Sequence, residues 1–134
     1  MLQPLFAFSD YSLLILRMAL GIILIAHGFP KLKDLHGTAA WFAKAGFRPA
    51  TFWTFVVALI EFFGGIAFLV GFFTQIIALL IVVQFIVAIL KVKLVKGLVD
   101  GYEFDLLILT TALLLATMGG GVYSADGYWG WILY

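Results

Sequence analysis

Long apolar runs, broken by short clusters of polar and charged residues, dominate the pattern along the 134 residues. The first run, 11–29, follows Ser9 and Asp10, both good helix-starting residues. A helix of that length reaches ~28 Å, close to the thickness of a hydrocarbon core, and Pro30 is expected to end it. The second span covers 52–73 and the third 75–91. So little separates them that they should form an antiparallel helical hairpin. A fourth span, 103–118, is short for a helix normal to the membrane and stops at three glycines, Gly119–Gly121. Between the first two spans, Leu35, Ala39 and Phe42 share a helical face. A short interfacial helix and an irregular loop both fit that stretch. The tail 119–134 is dense in Tyr and Trp, which favour the headgroup level, and is expected to lie along the surface. Its length and glycines exclude a fifth span.

Composition agrees with this pattern. Apolar residues make up 65% of the chain and charged residues 11%, whereas about a quarter of an ordinary soluble domain is charged. The expectation is an all-α integral membrane four-helix bundle forming a single domain over 1–134. No basic residue precedes the first apolar run and no clear small-x-small site follows it, so that run is read as retained. Cysteine is absent, which removes disulfides, thiol exchange by this chain and thiolate-bound metal. The formal charge of +1 says little in total, but its placement is informative. Apart from Arg17, every Lys and Arg (Lys31, Lys33, Lys44, Arg48, Lys91, Lys93, Lys96) lies in or beside the connections one-to-two and three-to-four. The positive-inside rule then puts those connections in the cytoplasm and both termini outside a cytoplasmic membrane.

The second span carries one acid, Glu61, near its middle. An ionised carboxylate at that depth costs roughly 3 kcal/mol or more unless it is paired, protonated or wetted. Gly64 and Gly65 follow on the same helical face and would let a neighbouring helix come close. On the first span Arg17, Gly21, Leu24 and Gly28 form one face, small at two positions, where tight packing is expected. Glu61 reads either as a packing residue neutralised by a partner or as a carboxylate that handles protons or polarises a ligand. Arg17 could reach inward to become its counter-charge, or could simply snorkel. Gln84, on one face with Ala88 and Lys91, is most simply an interhelical hydrogen-bonding residue.

Toward the basic boundary lie His27, Lys31, Lys91 and Glu103. His27 reads as an interfacial histidine favoured by a helix C-terminus, or as a proton donor to a redox ligand. Glu103 does not help orientation, so a salt bridge to Lys91 or Lys31 is its expected role. With Thr110 and Thr117 it also forms a polar stripe. Several chemistries find no residues to carry them. Only His27 of the two histidines is near the bundle, too few for haem b. No metal-ligand spacing, phosphate-cradling loop or basic patch for nucleic acid is present, so neither a metal nor a nucleic-acid partner is expected.

Four stretches in order, LRMALGIILIAHGFPKL, ALIEFFGGIAFLVGFFT, GYEFDLLIL and GGGVYSADG, resemble the DoxX family of small bacterial membrane proteins with four helices. The resemblance falls on Arg17, His27, Gly28 and Lys31, then on Glu61, Gly64, Gly65 and Gly71. It continues at Gly101, Tyr102 and Glu103, and ends at Tyr123, Ser124 and Asp126. It implies a cytoplasmic-membrane protein tied to oxidoreductase systems, among them a thiosulfate:quinone oxidoreductase, quinone or catechol stress and thiol-stress complexes. The expected role is therefore a membrane component of a quinone-linked redox or detoxification system. Glu61, His27 and Glu103 would be its reactive groups, and Arg17, Lys31 and Gln84 its ligand-binding groups. Gly28, Gly64 and Gly65 would supply close packing. Its cofactor would be a non-covalent quinone, and its partners the bilayer, other oxidoreductase subunits or further copies of itself. A small-solute or ion transporter and a non-catalytic assembly subunit remain open beside it.

Overall fold

Leu13, Arg17, Leu20, Gly21, Leu24 and Gly28 recur at helical spacing and line the buried face of α1, Ser9–Lys33. In the computed structural model, which describes residues 4–131, a 3-10 turn over Pro4–Phe8 leads into this helix. Pro30 does not end α1 as expected; the helix runs on for another turn. A proline there removes only one hydrogen bond, close to the terminus, and the carbonyl of Pro30 still accepts from Asp34 N at 3.1 Å. Asp34 then caps α2, Leu35–Lys44, by accepting from Gly37 N at 2.9 Å. The stretch after the first span is thus a helix, with Ala39 and Phe42 buried.

The second span is α3, Ala50–Val70, whose buried face carries Thr54, Ala58, Glu61, Gly64, Gly65 and Phe68. Gly71, at φ 76°, ends it in the left-handed conformation that costs glycine least. α4, Thr74–Ala88, follows after a tight turn and buries Ala78, Ile81 and Phe85. The chain continues helically past Ala88, but the hydrogen bonding widens to a π turn over Ile89–Lys93 and then tightens to a 3-10 turn over Leu94–Lys96. An irregular turn over Leu98–Tyr102 leads to α5, Glu103–Met118. A last short helix, α6 (Ala125–Trp129), is capped by Ser124.

α1 packs along α3, α4 along α5, and α1 meets α5, closing a four-helix bundle; α2 lies against α3. The core between them is Leu20, Leu24, Phe68, Ile81, Ala112 and Leu115. Glycines bring α1 and α3 into backbone contact. A Cβ on Gly21 would stand 2.8 Å from Gly65 O, and one on Gly28 2.5 Å from Phe62 N. Among the described residues, three helical stretches are long and apolar enough to cross a membrane: Pro4–Lys33, Ala50–Val70 and Thr74–Lys96. α5, at 16 residues, is about 24 Å long and takes its place by burying Ile108, Ala112 and Leu115 against α4. Large apolar side chains such as Ile15, Phe63, Leu79 and Leu107 cover the outside. A coat of that kind suits hydrocarbon, not water.

The tail turns inward instead of lying along the surface. Ser124 and Asp126 are buried, while Tyr128 and Trp129 stay exposed. The first three residues of the chain, and the last three of the expected tail, lie outside the described residues.

Candidate functional site

Glu61 is 3% exposed and both its oxygens are engaged. Lys31 Nζ of α1 lies 2.5 Å from Oε2, and Gln84 Nε2 of α4 donates to Oε1 at 2.7 Å. Glycine explains how this happens. The backbone of α1 can touch that of α3 at Gly28, where a Cβ would stand 3.0 Å from the carbonyl carbon of Glu61. Lys31 is one turn further along the same face, so it arrives over the carboxylate. Gly65 meets Gly21 and Ile25 of α1, whereas Gly64 faces Ile77 of α4.

Arg17 is not the partner of Glu61. It sits some 21 Å along α1 from Lys31, at the opposite end of the antiparallel pair. There it is 1% exposed and donates from Nη2 to the carbonyl of Tyr123 at 2.7 Å. Among the described residues its Nε and Nη1 have no hydrogen-bond partner, and Asp126 is an acid whose charge acts on it. Asp126 in turn accepts from Phe73 N at 2.8 Å and Thr74 N at 2.7 Å, holding the start of α4, while its own N–H donates to Gly71 O at 2.9 Å. A Cβ at Gly71 would run into the guanidinium. This cluster ties the tail to the bundle.

A cavity of about 860 Å³ lies on the basic side of Glu61. Its walls are aromatic and aliphatic: Trp41, Phe42 and Phe47 from α2 and its flank, Trp53 and Val57 from α3, Val83 and Phe85 from α4, Phe104 and Ile108 from α5. The polar groups in the wall are few and come from every side. Lys31, Glu61 and Gln84 form one end, and His27 is on the wall with its ring 5.6 Å from that of Phe104. Lys93 and Asp105, an ion pair, stand elsewhere on the wall.

Glu103 lies elsewhere. It is exposed, its Oε1 accepts from Asp100 N at 3.1 Å, and it pairs with neither Lys91 nor Lys31. Lys91 instead sits over the ring of Phe47, 4.7 Å from its centroid. Thr110 and Thr117 share the outward stripe, each hydroxyl bonded to carbonyls of its own helix. The acid of α5 that faces inward is Asp105, which sequence reasoning passed over. The signal was present, since Asp105, Ile108, Ala112 and Leu115 recur as one face with Asp105 at its head.

Chemically, the cavity offers an apolar slot with ammonium and amide donors at one end and carboxylates beside them. Such a set can hold an acceptor oxygen on a flat ring and give a proton to it or take one from it. Gln84 Oε1 is buried and has no hydrogen-bond partner among the described residues, an unusual state for an amide oxygen. A smaller cavity of about 420 Å³ lies at the tail end, beside Phe73, Thr74, Asp126 and Trp131. Its acid is already bonded to the start of α4.

Residues 12–94 match the family model described as DoxX. Among curated proteins, the chain is similar to the one named "Putative oxidoreductase CatD" of Bacillus subtilis (strain 168). The two are 35% identical over 119 residues, spanning 89% of this chain and 87% of that protein. No solved structure matches.

Proposed function

The chain belongs to the DoxX family, and from that footing we propose that it is the quinone-binding membrane component of a redox or detoxification system. The observation that carries this reading is the apolar cavity of about 860 Å³ ending on the Lys31–Glu61–Gln84 cluster. Its volume falls within the range of about 300–1,000 Å³ usual for small-molecule sites, and its aromatic walls suit a flat ring. The name of the similar Bacillus protein, "Putative oxidoreductase CatD", points the same way.

In this reading a quinone carbonyl oxygen takes the place of one Glu61 oxygen as acceptor for Lys31 or Gln84. Reduction to the quinol consumes two electrons and two protons. The electrons come from a partner oxidoreductase subunit, and this chain handles protons through Glu61 and Lys31, with His27 and the Lys93–Asp105 pair elsewhere on the wall. The basic end faces the cytoplasm of a cell membrane, following the distribution of Lys and Arg, with both termini outside. The opposite end is filled by Leu20, Phe68, Leu115 and the inturned tail, which favours a blind binding site over a passage for solutes through one chain.

The test is a titration of purified protein in bilayer nanodiscs with a benzoquinone, followed by quenching of the tryptophans at Trp41 and Trp53. Lys31→Met should weaken binding by about tenfold, the loss of the charge-assisted hydrogen bond to the quinone oxygen, and Gln84→Leu by severalfold, the loss of a neutral one. Unchanged affinity in both variants, or no binding to the wild type, refutes the reading.

A further inference from the structure

The cavity is not closed on every side. Leu80, Val83 and Val87 of α4 line it, yet they are 47%, 60% and 39% exposed. Trp53 of α3 lines it as well and is 42% exposed. Trp41 of α2 and Phe104 of α5 also line the cavity and are 51% and 42% exposed, but each is the single large exposed apolar wall residue of its helix, whereas a stripe of such residues on one helix facing another marks a mouth. Leu80, Val83 and Val87 stand three and four residues apart and form one stripe of α4; Trp53, Val57 and Ile60 form the facing stripe of α3.

The gap has a structural origin. At the tail end α3 and α4 are held together by the turn at Gly71, and a Cβ on Gly64 would stand 3.1 Å from Ile77. Toward the basic end the hydrogen bond from Gln84 to Glu61 is the last polar link between them among the described residues, and beyond it both helices line the cavity. Both stripes belong to stretches apolar enough to cross a membrane. The mouth therefore opens into hydrocarbon. At the basic end α2 lies along the cavity, with the buried Phe42 and the half-exposed Trp41 on its wall beside the polar residues Lys31 and Asp34.

We propose that ligand enters this cavity from the bilayer, between α3 and α4, and that the ligand is a lipid-soluble quinone carrying a long apolar chain. The ring lies at Lys31, Glu61 and Gln84. The chain trails out past Val83, Val87 and Trp53 into lipid. This rests on the quinone reading of the same site. The physical advantage is that the chain never meets water: it passes from hydrocarbon to an apolar cleft, and only the ring exchanges its surroundings.

The experiment compares two probes on the protein in nanodiscs: a benzoquinone with an isoprenoid chain, and the same ring without it. Binding is read by extraction and quantification of the retained quinone. Val87→Trp narrows the mouth at a half-exposed position about one turn beyond Gln84, with Val87→Phe as a second, smaller variant in case the first fails to fold. Leu79→Trp, on lipid-exposed surface away from the cavity wall, is the control. Retention of the long-chain quinone should fall by about tenfold in a mouth variant and stay within about twofold in the control, with the ring-only probe within about twofold in all three. Equal losses for both probes, or no loss for either, overturn the lateral mouth while leaving the ring site standing. A wild-type protein that holds neither probe overturns the quinone reading, and the mouth with it.

Discussion

Lys31 Nζ and Glu61 Oε2 stand 2.5 Å apart, joining the last turns of α1 to the middle of α3. The two partners differ sharply in exposure. The lysine side chain is 26% exposed and the carboxylate 3%. Removing one is therefore not equivalent to removing the other. Lys31→Met strands a buried acid, a change that costs about 3–5 kcal/mol when nothing else compensates. Glu61→Gln leaves an amide that can still accept from Gln84, and Lys31 can turn its ammonium toward water.

Lys31→Met is expected to lower the thermal midpoint in detergent clearly more than Glu61→Gln. The double variant should recover much of the loss, with a coupling of about 1–3 kcal/mol. A cycle between Arg17→Met and Glu61→Gln should be additive within about 0.5 kcal/mol, because the two residues share no partner. Strong coupling in that second cycle would contradict the placement of Arg17.

The glycines make a graded prediction. A Cβ on Gly28 meets the backbone of Phe62, and one on Gly65 lies 2.7 Å from the backbone oxygen of Gly21, neither of which can yield without moving a helix. A Cβ on Gly64 meets only the side-chain methyl Cγ2 of Ile77, at 3.1 Å. Gly28→Ala and Gly65→Ala should each destabilise by about 1–3 kcal/mol or more, and Gly64→Ala by less. Gly28→Ala should also weaken the Lys31–Glu61 coupling, because it pushes the two helices apart where the pair forms. Equal midpoints for all three variants would show that α1 and α3 are not in backbone contact.

These residues also show what could be read without coordinates. The apolar runs announce their helices because the period and length of a span are local properties, and α5 occupies the very stretch that ended at the glycines. The need for a partner at Glu61 was legible too, since burial of a charge is a local fact. The identity of that partner was not. It depends on the register between α1 and α3, which Gly21 and Gly28 set through contacts with Phe62 and Gly65, more than thirty residues away in the chain. Hydropathy carries no register. The same gap explains the tail. Asp126 looked like part of a surface segment, because nothing nearby in sequence says that the start of α4 lacks an acceptor and that Asp126 reaches it.

That contact supports a prediction at the other end of the bundle. Asp126 accepts two backbone N–H groups at the start of α4 and its charge acts on Arg17. Hydrogen bonds to a charged group contribute about 1.5–3 kcal/mol each. Asp126→Ala should therefore destabilise the protein by roughly 3 kcal/mol or more and expose the tail to protease near Tyr123. Asp126→Asn, which keeps one acceptor oxygen, should fall between it and the wild type. A tail as resistant to cleavage in Asp126→Ala as in the wild type would mean that it is held by the ring contacts of Trp129 with Phe72 and of Trp131 with Phe73 alone.

The two acids of α5 give the sharpest contrast, because they are two residues apart and so about 200° around the helix from one another. Glu103 is exposed and bonded only to the turn before it. Asp105 is 5% exposed, faces the cavity and pairs with Lys93, which the π turn at Ile89–Lys93 brings to the same wall. An extra residue in a helical turn rotates everything after it, and here that rotation accompanies the inward placement of Lys93. Lys93→Met should destabilise more than Asp105→Asn, because the first leaves an unpaired buried acid and the second a lysine that is 33% exposed. Glu103→Gln should stay within about 0.5 kcal/mol of the wild type. Amide hydrogen exchange across 94–102 reads the same pair independently. Losing the ion pair frees the connection from α5, so exchange there should speed up in both Lys93→Met and Asp105→Asn and not in Glu103→Gln. If Glu103→Gln loosens that connection as much as Asp105→Asn, the inward-facing acid has been assigned to the wrong position.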